Sequence, residues 1–415
     1  MNFIVLAVPA FLLLIAAEFV IDRIKGTGVY RLNDAVNSLS CGMVSRLTGL
    51  LYKLIPFTLY GLVWQSAALF QFDRSQFWVW IFAFIIYDFF YYWSHRFGHE
   101  VNIFWAAHVV HHQSEDYNLT TALRQTSSRE LFGWVFYLPL AIIGLDPVLF
   151  IGTAALNQLY QFWVHTQLIK RLPAWYEYVF VTPSNHRVHH AQNSVYIDRN
   201  YGGFLIIWDR MFGTFQDELP EEPCIFGVRK ALRSWNPLWA NLDWYAVMWR
   251  DAVLTRRWQD KLLIWFKPTG WRPDDVVKSH PVTPAVLDEF KKYETALTPL
   301  TAGYVLLQFL SFLGMIILLM VFNHTLVQQE LIAACVFGLF SFYSLSQVQE
   351  GRSVALFTEV FRFALLCYGV INWQSSDVVN YLVGGFSLIS LGVLGVTRCQ
   401  ADGAIHDTPE NDAKI

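Results

Sequence analysis

Seven apolar runs, each long enough to cross a bilayer as a helix, fall at 2–20, 43–64, 77–94, 300–322, 329–348, 354–372 and 378–397. About 20 apolar residues span the hydrocarbon core, and within lipid only helices or closed barrels satisfy their own backbone polar groups. Composition agrees: of 415 residues 15% are charged and 54% hydrophobic, with 17 tryptophans suited to helix ends at bilayer interfaces. The first run lacks a positively charged leader, so it reads as a retained span rather than a cleaved signal. Arg46 and Lys53 in the second run let it tilt or lie partly in the interface. The net charge of −3 is neutral on nucleic acid, but there is no basic stripe to bind one, so none is expected as a partner. Cys41, Cys224, Cys335, Cys367 and Cys399 are widely separated, so neither a disulfide framework nor a thiolate metal site is expected.

Arg23, Lys25 and Arg31 follow the first run, whereas the loop after the second carries only Arg74, so the positive-inside rule places 21–40 in the cytoplasm. Residues 131–165 read as a helical hairpin turning at Gly144-Leu145-Asp146-Pro147. Counting spans forward then puts residue 95 onward, His165 and the long polar section 166–297 on that same cytoplasmic side. Within that section 235–271 is Trp-rich and amphipathic, as expected of a segment lying on the membrane surface. The expected fold is all-α: a polytopic membrane protein with a cytoplasmic histidine-rich cap.

Three histidine clusters lie on that side: His95 and His99 in HRFGH, His108, His111 and His112 in HVVHH, and His186, His189 and His190 in HRVHH, with His165 closing the hairpin. Residues three or four apart share a helix face, so each cluster can present most of its ring nitrogens in one direction. Three such faces converging make a nitrogen-rich cage for one or two transition metals, and imidazole suits iron, copper, nickel or zinc. His280, His324 and His406 stand alone and read as ordinary core or surface residues. Asp88, seven residues before His95 in apolar surroundings, is expected either to orient a ligand imidazole or to bond to a neighbouring helix. Glu100, beside His99, could ligate, pass protons or be solvated.

A hydrolytic zinc needs about three protein ligands and a glutamate base in HExxH; this chain has too many histidines and no such motif. A metal transporter would carry its ligands near mid-bilayer, not at helix ends and in a polar cap. Two irons held by neutral imidazoles, with positions open to O2, would attack an unactivated C–H bond of a lipid chain supplied by the bilayer.

HRFGHE, WAAHVVHHQSEDYN, TPSNHRVHH and DRNYGGFLIIWDRMFGTF, spread over 77–220, resemble the membrane fatty acid hydroxylase and sterol desaturase superfamily. WVHTQ, the PTGW segment after Lys267 and the hydrophobic C-terminal extension are most similar to its branch that cleaves alkylglycerol ethers. The resemblance implies a non-haem diiron centre on His95, His99, His108, His111, His112, His186, His189 and His190, with His165 a further match and Glu100 matching a catalytic glutamate. It implies hydroxylation of the carbon next to an ether oxygen, with tetrahydrobiopterin as reductant; other members, acting on acyl chains or sterols, draw electrons from separate redox proteins. No GxGxxG opens a flavin or nicotinamide fold, so electrons come from an external donor. The resulting domain order is N-terminal helices over 1–76, the catalytic region over 77–220, an interfacial segment over 221–297, C-terminal helices over 298–398 and a polar tail over 399–415. Glu350, Arg352, Glu359 and Arg362 among the C-terminal helices read as salt-bridged helix ends.

Overall fold

The computed structural model describes residues 3–52, 54–282, 286–372 and 377–406. Among the described residues the fold is all-helical: three isolated β-bridges occur and no strand. The chain forms two units, one of Met1–Ser234 with Leu238–Tyr293, the other of Trp235–Pro237 with Glu294–Ile415.

The larger unit begins with α1 (Phe3–Lys25), α2 (Leu32–Tyr52), α3 (Leu54–Ala67) and α4 (Phe77–Glu100). The second apolar run, expected as one span, is divided between α2 and α3, which bend by 56° from one to the other. Lys53 between them lies outside the described residues. α1 is not apolar throughout. Its buried Glu18 accepts from the Tyr30 hydroxyl at 2.5 Å, the Leu119 N–H at 2.7 Å and the Thr166 hydroxyl, tying α1 to both sides of the histidine-bearing region.

Short helices follow α4: α5 (Asn102–Ala106), α6 (Val109–His112), α7 (Leu119–Ala122) and α8 (Arg129–Gly133). A 3-10 turn at Trp134–Tyr137 leads into α9 (Leu138–Ile143), and α10 (Pro147–Trp163) returns. The hairpin expected over 131–165 is therefore present, with its turn where Asp-Pro marks it. Gly144 adopts φ +117°, and a Cβ there would overlap the Phe70 carbonyl, so only glycine fits. Asp146 caps α10 by accepting from the N–H groups of Val148 at 2.7 Å and Leu149 at 3.3 Å, with Pro147 preset in the first helical position. The return helix has 17 residues, about 26 Å at 1.5 Å each. It packs through Leu149 into a buried core with Tyr60 of α3 and Val79, Ala83, Tyr87 and Tyr91 of α4, which fixes the α4 terminus against the end of α10.

The polar section supplies α11 (Ala174–Val179), α12 (Pro183–His190), α13 (Ile207–Phe212), α14 (Pro237–Leu254), α15 (Trp258–Leu263) and α16 (Asp274–Ser279). Ala240, Met248, Ala252 and Ile264 of the 235–271 segment are buried, whereas Trp249, Trp258, Leu262 and Phe266 are exposed, so its two faces are distinct.

The second unit consists mainly of α17 (Pro299–Phe322), α18 (Gln328–Gln349), α19 (Ala355–Asn372) and α20 (Asp377–His406). The last helix runs into the expected polar tail; 407–415 and the His406 side chain lie outside the described residues. α4 and the four C-terminal helices are long and apolar enough to cross a bilayer, and the α2–α3 pair would add a sixth crossing. This is an integral multi-pass membrane protein. Glu350 and Arg352 pair at a helix end, as expected. Glu359 and Arg362 do not: both are buried, bonded to each other at 2.5 Å and to Ser344, Gln308 and Tyr304. A charged pair inside an apolar bundle persists because polar side chains on α17 and α18 take up its remaining bonds.

Candidate metal centre

His95 and His99 occupy the last two turns of α4, His108 opens α6, and His111 and His112 lie within it. α12 carries His186, His189 and His190. Its start is fixed locally: Pro183 takes the first position, and Thr182 and Asn185 bond reciprocally at 3.2 and 3.4 Å. His165 follows the end of α10. All nine imidazoles are buried, and they form two groups whose ligand nitrogens lie within 4.8 Å of one another. His95, His99, His108, His112 and His189 make one group; His111, His165, His186 and His190 make the other.

Each cluster points mostly one way, with one systematic exception in each HxxHH box. In both HxxHH boxes the outer pair, four residues apart, serves one group and the histidine between them, three residues after the first, serves the other. Three residues advance a helix by about 300° and four by about 400°, so these positions diverge by roughly 100°. That divergence lets one short helix line two adjacent sites.

Peptide carbonyls orient these rings. His95 Nδ1 bonds the Tyr201 carbonyl at 2.8 Å, His111 Nδ1 that of Arg124 at 2.8 Å, His165 Nδ1 that of Gln161 at 2.8 Å and His189 Nδ1 that of Arg199 at 3.0 Å. A carbonyl only accepts, so each Nδ1 carries the proton and each Nε2 presents a lone pair. The Nε2 atoms of His111 and His165 nevertheless stand 3.2 Å apart. Facing lone pairs repel unless a cation draws them together. His99 Nε2 and His189 Nε2 are buried without a partner among the described residues. Both observations fit a metal site.

Burial also keeps the ligands neutral. It holds His108, His111, His112, His186 and His190 well below the ordinary imidazole value, each pushed further by neighbouring rings. Burial lowers His165 to about 3 and His189 to about 4, against the opposing pull of their carbonyl bonds. Unprotonated imidazole at neutral pH is the state that binds metal.

Two of those carbonyls belong to the DRNYGG loop, and two buried carboxylates hold it. Asp209 accepts from the N–H groups of Tyr201 and Gly202 at 2.7 Å and from the Thr214 hydroxyl at 2.7 Å. Asp88 accepts from Phe204 N at 2.9 Å, Leu205 N at 3.0 Å, Trp208 Nε1 at 2.9 Å and Asn157 Nδ2 at 2.7 Å. Of its two expected roles, orienting a ligand imidazole is therefore excluded: its oxygens are committed to the loop and to α10, and it acts on His95 only through the loop.

Spacing alone gave no sign of Arg124 or Arg187. Arg124 is 1% exposed and joins Val110 O, at 2.6 Å, to Asn37 Oδ1 of α2, at 2.5 Å. Arg187 bonds Glu218 at 2.6 and 2.7 Å and the carbonyls of Thr166, Ile169 and Lys170, locking α12 to the segment after His165. Arg187 sits inside a histidine box, where an arginine with no apolar periodicity of its own would be the available signal; Arg124, twelve residues past the second box, carries none.

Glu100 belongs to neither imidazole group. Its partly exposed side chain accepts from Arg96 Nε at 2.9 Å. His280 and His324 are exposed, as expected of isolated histidines. The Trp105 ring lies tilted against those of His99, 4.9 Å away, and His112, 5.5 Å away; its chain neighbours Ile103 and Phe104, with Trp134, Val135, Leu262 and Phe266, line an apolar cavity of about 690 Å³.

Residues 80–214 match the fatty acid hydroxylase family. The chain is 37% identical over 366 residues to alkylglycerol monooxygenase of Danio rerio, covering 87% of this chain and 80% of that protein. It is 35% identical over 376 residues to the Xenopus tropicalis alkylglycerol monooxygenase, covering 89% and 82%, and 41% identical over 268 residues to the Homo sapiens one, covering 64% and 59%. No solved structure matches.

Proposed function

The chain belongs to the alkylglycerol monooxygenase family, with a fatty acid hydroxylase domain, and on that premise we propose that it cleaves the ether bond of alkylglycerols. It is an oxidoreductase, a membrane-bound oxygenase acting on lipid chains. The observation that carries the reading is the gathering of nine buried imidazoles, four of them oriented by peptide carbonyls, into two adjacent groups at the end of an apolar helix.

His95, His99, His108, His112 and His189 would hold one iron and His111, His165, His186 and His190 the other. Once bound, this pair supplies activation of dioxygen. The protein's own part is placement. Neutral imidazoles on carbonyl-fixed rings keep the donor set assembled, and the apolar cavity beside Trp105 suits an alkyl chain taken from the bilayer without passage through water. Glu100, held by Arg96 at the edge of the first group, is proposed to hold or pass a proton.

One oxygen atom enters the chain carbon next to the ether oxygen, and the other leaves as water with two electrons and two protons from the donor. The hemiacetal then breaks its bond to the ether oxygen and gives an aldehyde and a glycerol. The donor is proposed to be tetrahydrobiopterin, with an external electron-transfer protein as the other source to be tested. The site is proposed to face the cytoplasm, a reading supported by the positive residues after the first run.

The test supplies protein in lipid nanodiscs with an alkylglycerol, O2 and reduced pterin or a redox protein, and follows aldehyde and glycerol. Oxygen-dependent, equimolar release supports the reading. A hydroxylated or unsaturated acyl chain or sterol instead would move it to another branch; product without oxygen would mean hydrolysis, and bound metal with no oxygen consumption a transporter. Glu100→Gln is expected to lower turnover at least tenfold with metal content unchanged, and a fully active variant would return Glu100 to a solvated surface role.

A further inference from the structure

Tyr201 stands out among the residues the reaction does not yet use. It is fully buried, with its ring 5.3 Å from that of His99, 6.0 Å from His95 and 6.1 Å from His189, all members of the five-imidazole group. Its backbone is fixed at both ends, the N–H donating to Asp209 at 2.7 Å and the carbonyl accepting from His95 Nδ1 at 2.8 Å. The side chain therefore cannot drift far. Yet its hydroxyl has no hydrogen-bond partner among the described residues.

Buried tyrosine hydroxyls usually find a partner, and leaving one unmet costs about 1–3 kcal/mol. The Nε2 atoms of His99 and His189, in the same group, are unpartnered as well. Three unmet polar atoms on neighbouring rings point to a shared missing guest. The rival acceptor is the Asp198 carboxylate: burial raises its carboxyl and the Tyr201 phenol opposes that rise, but the two groups do not meet hydrogen-bond geometry. Burial, with the carboxylates of Asp198 and Glu100 nearby, raises the phenol well above its ordinary value, so it remains a donor at neutral pH.

We propose that the Tyr201 hydroxyl donates a hydrogen bond to the small oxygen-bearing or anionic ligand taken up at the five-imidazole group. The assignment rests on the reading of that group as a metal site. It gives the two groups different surroundings, with a fixed donor beside one of them.

Azide is the probe, titrated spectroscopically into the oxidised, metal-loaded protein, with metal content measured alongside. Tyr201→Phe is expected to keep the wild-type metal content and to bind azide roughly three- to tenfold more weakly, the span of one ordinary hydrogen bond. In metal-free protein the same variant should unfold at an equal or higher temperature, because the hydroxyl it removes is unmet there. Unchanged azide affinity overturns the proposal. So does a lower unfolding temperature, which would give the hydroxyl a structural partner such as Asp198, or loss of metal together with a visible charge-transfer band, which would make Tyr201 a ligand. Wild-type protein that takes up no metal would instead bring down the reading of the site and this assignment with it.

Discussion

His111 and His165 lie 54 residues apart in the chain, and each has its Nδ1 proton committed to a carbonyl before their Nε2 atoms meet at 3.2 Å. That arrangement assigns His165 to the four-imidazole group on the same footing as the box histidines, rather than to a supporting position. His111→Ala and His165→Ala are therefore expected to act alike. Each should abolish turnover and lower the metal-to-protein ratio from about two toward one, since a four-donor group reduced to three loses affinity by orders of magnitude. His189→Ala removes a donor from the five-imidazole group and should also abolish turnover, while retaining more metal than either. Elemental analysis of the purified variants checks the order; retention of both metals and activity in His111→Ala or His189→Ala would refute the ligand set.

At the scale of elements, the DRNYGG loop is the part on which orientation depends. Gly202 and Gly203 let it pass close to its neighbours: a Cβ on Gly203 would meet the Tyr91 ring at 2.7 Å and Asn157 Oδ1 at 3.0 Å. Gly203→Ala should push the loop away from α4 and α10, loosening the carbonyls of Arg199 and Tyr201 that set His189 and His95. A destabilisation of about 1–3 kcal/mol and a severalfold loss of metal affinity are expected, read from thermal unfolding and competition with a chelator. Wild-type values for both would show that the loop does not govern the rings. The histidines were legible in the sequence because spacing of three and four has a direct geometric meaning, and the hairpin turn because Asp146-Pro147 and Gly144 each constrain the backbone locally. Their division into five and four was not, since α6 is a single turn whose facing is set by partners elsewhere in the chain, Cys41 and Ala240 packed with Val110 and the Arg124 carbonyl on His111. Nor was the task of Asp88, whose four donors come from Asn157 and from the backbone and indole of 204–208, far along the chain.

The whole molecule joins an oxygenase unit to a second unit whose polar interior has no visible chemical task. Tyr304, Gln308, Ser344, Glu359, Arg362 and Ser390 form a closed set there: Arg362 bonds Glu359 at 2.5 Å and Gln308 at 2.9 Å, Ser344 bonds Glu359 at 2.6 Å, and Gln308 bonds Ser390 at 3.0 Å. A substrate or ion pathway needs polar groups left open to a guest, whereas these are turned on one another, which favours a role in fixing how α17 to α20 pair. Removing one partner then harms more than removing both. Glu359→Gln leaves the Arg362 guanidinium buried without its carboxylate and should destabilise the unit by about 3–5 kcal/mol, while Glu359→Leu combined with Arg362→Met leaves no buried charge and should recover most of that loss. Unfolding in detergent, followed by a tag on the C-terminal unit, separates the two. A double variant as unstable as the single one would refute this account of the pair, and variants that stay stable but cannot oxidise lipid would give the pair to the reaction and not to the architecture of the bundle.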